Sequence, residues 1–235
     1  MSQIFKNKIG TVSTTGSNVD LITCPSNKTI LIRNIRIFNE NASTATQTLY
    51  FIDNSQSSST AILWGDSFTV TASNSAVFST RFVLEENDKI QFQTSHNAQK
   101  ITINYVEIDN FDSGNKTRYK HTSIRSTTED SYVYLLTPSA GHTQIIKYIA
   151  LKNLSGNDAT VNLRLVEATT DTYVPLVSGT LEDDTDTSAS EFDYFLNGNT
   201  LVLEAGDSLQ VQFSEQPWTS MVHYMEIPEL SSKTK

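Results

Sequence analysis

Apolar residues recur at every second position through much of this chain. In Thr29-Ile30-Leu31-Ile32-Arg33-Asn34-Ile35-Arg36-Ile37-Phe38, Ile35 and Ile37 fall on one side and Arg36 on the other. Ile90-Gln91-Phe92-Gln93 and Leu209-Gln210-Val211-Gln212 alternate as strictly, as do Ile101 to Val106 and Val161 to Val166. Period two is the signature of a strand with one dry and one wet face, whereas a helix would bury residues spaced by three and four. No convincing helical spacing runs for ten residues or more. Strands of about five to eight residues, separated by connections rich in Asn, Ser, Gly and Asp, predict an all-β chain built of antiparallel β-sandwiches, jelly-roll-like or Ig-like.

The same pattern is written twice. Val83 to Gln93 reads V-L-E-E-N-D-K-I-Q-F-Q, and Val202 to Gln212 reads V-L-E-A-G-D-S-L-Q-V-Q. Each is followed by an aromatic-acidic tetrad, Tyr105-Val106-Glu107-Ile108 and Tyr224-Met225-Glu226-Ile227, and both Asp88 to Asp207 and Tyr105 to Tyr224 are 119 positions apart. Upstream, Ile35, Asn39 and Leu49 map onto Ile149, Asn153 and Leu163 at an offset of 114, so the second copy gains five residues, placed around 195–200. A repeat this long holds its own core, so internal duplication predicts two tandem sandwich domains. The expected boundaries are 1–110 for the first domain, a polar linker over 111–122, and 123–235 for the second domain with a polar C-terminal tail.

Two details of the repeat single out residues. In the turn before the alternating strand, Gly206-Asp207 is matched by Asn87-Asp88, and Asn is the residue after Gly that best tolerates the left-handed backbone. These four positions therefore predict a shared structural turn. Alternation also puts Tyr105 with Glu107, and Tyr224 with Glu226, on one face of the last strand, where they would anchor a loop or meet a neighbouring domain.

At 235 residues the length suits two domains, and eleven Phe and nine Tyr supply cores despite a hydrophobic fraction of 37%. The single Cys24 excludes a disulfide scaffold. Charge is uneven: residues 1–110 hold 8 Lys/Arg against 9 Asp/Glu, and residues 123–229 hold 4 against 16. The second domain would repel phosphates, so direct binding to nucleic acid is not expected. Met1-Ser2-Gln3-Ile4-Phe5-Lys6 lacks the apolar run of a signal peptide, which predicts synthesis in the cytoplasm, and no segment reaches the roughly 18 apolar residues of a membrane helix.

Catalytic, cofactor-binding and metal-ligating residues are not expected. His96, His121, His142 and His223 are scattered, Cys24 has no positioned His partner, and phosphate loops and nucleophile elbows are missing. Leu181-Glu182-Asp183-Asp184-Thr185-Asp186 lacks calcium-loop order and reads as a solvated acidic loop. Trp64 and Trp218 are the candidate platforms for a sugar, were the chain a carbohydrate-binding module of the kind used in host-surface recognition.

The V-L-E-x-G-D-x-L-Q-V-Q strand pair followed by Y-x-E-I resembles the small β-sandwich virion proteins of tailed bacteriophages, which decorate capsids or serve necks and tails. That resemblance implies a non-enzymatic structural protein located in the virion and partnered by other capsid, neck or tail proteins. Duplication adds the expectation of a homo-oligomer, a trimer offering six pseudo-equivalent domains.

Overall fold

A computed structural model describes residues 3–55, 61–63, 68–78, 82–110, 118–170, 172–182, 192–194 and 201–228. Trp64, residues 111–117 of the expected linker, Asp183 to Asp186, the 195–200 insertion and the C-terminal tail lie outside the described residues. The chain divides into two compact units, Met1–Asp112 and Ser113–Lys235.

The first unit holds β1 (Gln3–Val12), β2 (Val19–Thr23), β3 (Lys28–Asn39), β4 (Ala45–Ile52), β5 (Ala61–Leu63), β6 (Phe68–Val70), β7 (Ser75–Phe78), β8 (Val83–Leu84), β9 (Lys89–Thr94) and β10 (Gln99–Asp109). One sheet runs β1-β10-β3-β7 with β8 also on β3, and the other runs β2-β9-β4-β5 with β6 also on β4. With β5/β6 and β7/β8 each taken as one interrupted strand, the first, eighth, third and sixth strands form one sheet. The second, seventh, fourth and fifth form the other, which is the jelly-roll connection.

The second unit repeats it with β11 (Arg118–Ser126), β12 (Val133–Leu136), β13 (His142–Asn153), β14 (Ala159–Glu167), β15 (Thr172–Leu181), β16 (Phe192–Tyr194), β17 (Leu201–Leu203), β18 (Ser208–Phe213) and β19 (Trp218–Pro228). Its sheets are β11-β19-β13-β16, with β17 on β13, and β12-β18-β14-β15. Alternation explains the cores: Ile35, Ile37, Leu49, Phe51, Ile90 and Phe92 are fully buried in the first unit, and Ile149, Leu151, Leu163, Leu209 and Val211 in the second. Pro175, which cannot donate to a ladder, sits in the edge strand β15 beside a bulge.

The equivalence extends to an irregularity. Between β3 and β10, Asn34 pairs with Asn104 and Ile32 with Tyr105, leaving Arg33 as an extra residue. Between β13 and β19, Tyr148 pairs with His223 and Ile146 with Tyr224, leaving Lys147 as the extra residue. The bulge thus falls at the same place in both copies, with a cation on it each time.

One sequence expectation is corrected. Residues 118–122, assigned to the linker, belong to β11, which pairs along its whole length with β19 from Arg118–Glu226 to Ser126–Trp218. β11 is the counterpart of β1, since Ile4 pairs with Glu107 as Arg118 pairs with Glu226. An edge strand takes its stability from the ladder on one side, so Arg118-Tyr119-Lys120-His121-Thr122 needs no run of aliphatic residues to be a strand.

Candidate functional site

The repeated Tyr and Glu positions are tied down by residues of the first strand of each unit. Tyr105 and Glu107 stand opposite the buried Ile32 and Ile30, and Tyr224 and Glu226 opposite Ile146 and Gln144. Lys6 Nζ donates to Glu107 at 2.7 Å, and Lys120 makes the equivalent 2.7 Å ion pair with Glu226. The duplicated feature is thus a Lys–Glu pair across two strands, and its lysine was hidden in the second copy by the linker assignment. Lys6, reinforced by Lys28, holds the Glu107 carboxyl below the usual carboxylate range. At Glu226 burial pushes the carboxyl up, and Lys120 and Gln144 together outweigh it, so the group again lies below that range. Lys28 bridges to Asp109 as well. Both pairs are neutralised within the fold, which makes them clamps between adjacent strands.

The two turns share one geometry. Asn87 has φ 69° and Gly206 φ 92°. The Asp88 carboxylate accepts the Asn54 N–H at 2.9 Å and the Glu85 N–H at 2.6 Å, and Asp207 accepts the Ala168 N–H at 3.1 Å and the Glu204 N–H at 3.0 Å. Each aspartate therefore closes its own turn and pins the connection after the fourth strand. At Gly206 a Cβ would also lie 3.0 Å from the Ala168 Cβ. Gly206→Ala is expected to destabilise the second unit by about 1–2 kcal/mol, measured as a lowered urea midpoint at unchanged slope.

Buried asparagines pin the turn after the third strand in the same way. Asn39 Nδ2 donates to the carbonyls of Ser43 and Val70, both at 2.8 Å, and Asn153 Nδ2 to that of Asn157 at 2.7 Å. Beside them the copies diverge. In the first, Gln47 donates to Gln99, and Gln99 donates to Asn39 Oδ1 at 2.8 Å. In the second the corresponding places are Val161 and Trp218, and Trp218 stacks on Phe213 with centroids 4.7 Å apart. Its indole N–H donates to the Thr128 carbonyl at 2.8 Å, and the residue is fully buried. Trp218 is therefore a core plug, and the expectation that it could form a sugar platform is corrected.

Cys24 is fully buried, and its thiol donates to the Lys28 carbonyl at 3.3 Å. Burial, assisted by the nearby Asp88, pushes the thiol up to about 12, so the thiolate needed for nucleophilic chemistry does not form near neutrality.

A second buried row crosses the β11-β19-β13 sheet. His121 stands opposite His223 with ring centroids 5.9 Å apart, and His223 lies opposite Tyr148 at 5.5 Å. The matching row of the first unit is Asn7, Asn104 and Asn34, where Asn104 Nδ2 donates to Asn34 Oδ1 at 2.8 Å. Burial, and then the positive charge His121 can carry, hold the His223 imidazole well below its usual range. The unfolded chain takes up this proton near pH 6.5 while the folded one does not, so the contribution is intact above that pH and is lost on acidification. Unfolding free energy of the second unit is expected to fall by about 1.4 kcal/mol per pH unit below pH ~6.5 until the folded imidazole titrates. Urea titrations between pH 7.5 and 5.5 would show the slope, and His223→Gln should flatten it in a window above the carboxylate range.

No protein-family model matches the chain, and no curated protein matches it. Solved structures similar to it include the STIV MCP, at 13% identity and a TM-score of 0.40 over 97% of each chain. The major capsid protein P2 from bacteriophage PM2 aligns at 10% identity and a TM-score of 0.34, over 98% of this chain and 99% of that one. A tandem CBM22 domain pair from Paenibacillus barcinonensis aligns at 8% identity and a TM-score of 0.25, over 96% and 92%.

Proposed function

We propose that this chain is a structural protein of a virion, assembled into or onto the particle as a homotrimer through contacts made by both jelly rolls. The observation that carries the reading is the chain's own topology: two complete jelly rolls in tandem, an architecture that recurs in viral capsids. Three such chains present six pseudo-equivalent domains, which fits a partner of threefold or sixfold symmetry. The edge strand β1 supports assembly, with Phe5 75% and Ile9 71% exposed on its outer side. Many modest contacts on one lattice would hold the protein firmly without a single strong interface. In this reading the near-neutral first domain docks and the acidic second domain faces solvent, as a shell, decoration, neck or tail component made in the host cytoplasm.

Native mass measurement at micromolar concentration should give three times the 26.2 kDa chain mass, and the protein should co-purify with intact particles. A monomer in solution that is also missing from purified particles would refute this function.

A further inference from the structure

The outer side of the β12-β18-β14-β15 sheet gathers tyrosines around a single arginine. Residues 123–229 carry only 4 Lys/Arg, and one of them, Arg164, sits at the centre of this face. Its guanidinium lies 3.4 Å from the centroid of the Tyr132 ring and 5.2 Å from that of Tyr173. Arg164 also donates through Nε and Nη2 to Gln210 Oε1, at 3.0 and 2.8 Å. Tyr134 stands directly across from Gln210 and is 64% exposed, and Tyr173 on the opposite edge strand is 59% exposed.

Beside these rings, in the row next to Tyr134 and away from Tyr173, runs a polar strip whose members hold one another. Ser178 Oγ donates to Asn162 Oδ1 at 2.7 Å, Asn162 Nδ2 to Gln212 Oε1 at 3.4 Å, and Gln212 Nε2 to the Asp130 carbonyl at 2.9 Å. Register places Gln210 and Gln212 opposite Arg164 and Asn162. These are the glutamines of the repeated L-Q-V-Q strand, on the side away from the core residues Leu209 and Val211. Gln210 is itself buried under Arg164, with Nε2 donating to Ser208 Oγ at 2.9 Å, and Gln212 is half-buried. No carboxylate occupies an outward position of β12, β18 or β14 at this strip.

We propose that this face binds a neutral saccharide. Two exposed phenol rings on opposite edge strands stand three strand spacings and two residues of register apart, roughly 16 Å, with Arg164 between them on a face wide enough for a short oligosaccharide. Rings of this kind pack against the C–H faces of pyranoses, while amide and guanidinium groups exchange hydrogen bonds with vicinal hydroxyls. Ring clamp and amide ladder fix Arg164 and the glutamines beforehand, which lowers the ordering cost of binding. Charge decides the class of sugar: 16 Asp/Glu against 4 Lys/Arg over residues 123–229 make a negative field that repels sialylated, uronic or sulfated ligands. The corresponding face of the first unit lacks this design. There Tyr50 replaces Arg164, and Asp20 takes hydrogen bonds from Lys89 at 2.8 Å and Gln91 at 2.7 Å. The site is independent of the virion reading and uses tyrosines where Trp218 is taken up by the core.

The test is binding of the full chain to an array of neutral glycans with sialylated and uronate-containing glycans alongside, followed by titration with the best neutral oligosaccharide. Saturable binding to neutral glycans is expected, with Tyr134→Ala and Tyr173→Ala each weakening it by about tenfold. Both side chains are more than half exposed, so thermal melts of the variants should match that of the parent. Four results would each overturn the proposal. These are no saturable neutral ligand, a preference for acidic glycans, affinity unchanged in both tyrosine variants, or a native mass that changes in Tyr134→Ala while no glycan binds. The last would assign the face to a protein contact.

Discussion

Replacing Trp218 by alanine is expected to destabilise the second unit by about 3–5 kcal/mol. The side chain is fully buried, is stacked on Phe213, and closes the sandwich where β19 begins. Truncation leaves a cavity between the sheets and strands the Thr128 carbonyl without its indole donor. Chemical denaturation followed by circular dichroism and tyrosine fluorescence measures it. The first-unit transition should not move. If Trp218→Ala left stability within about 0.5 kcal/mol of the parent, its assignment to the core would be wrong.

Asp88→Ala is expected to cost the first unit about 3 kcal/mol, because a buried carboxylate that accepts two backbone N–H groups leaves both unsatisfied when removed. Asp207→Ala removes the same pair of contacts from a half-exposed site. Water replaces the lost acceptor there, so the cost should be about 1 kcal/mol. The difference between the variants, read from their urea midpoints, separates burial from hydrogen-bond count as the cause. Equal effects would show that the turn geometry alone sets the energy.

Much of the fold was legible because period-two alternation is a local signal. Each strand declares its dry face through residues such as Ile90 and Phe92 regardless of which strand it pairs with. The turns were legible for a similar reason, since Asn87 and Gly206 are the residue types that accept positive φ. β11 was not legible, because an edge strand with Lys120 and His121 takes its conformation from the β19 ladder rather than from its own pattern. The partners of Glu107 and Glu226 were hidden for the same reason, as Lys6 and Lys120 lie more than a hundred residues away in sequence.

By itself the sequence determined an all-β chain written twice, since strand periodicity, turn chemistry and the repeat are all fixed by residue type and spacing along the chain. Only the tertiary structure decided which side chains share a place. It put Trp218 where the first copy has Gln99, sealing a core instead of facing a ligand, and it gathered Tyr132, Tyr134, Arg164 and Tyr173 from separate segments onto one sheet face. Strand pairing brings residues together without regard to their distance in sequence, so the composition of a face is set by register and not by any motif.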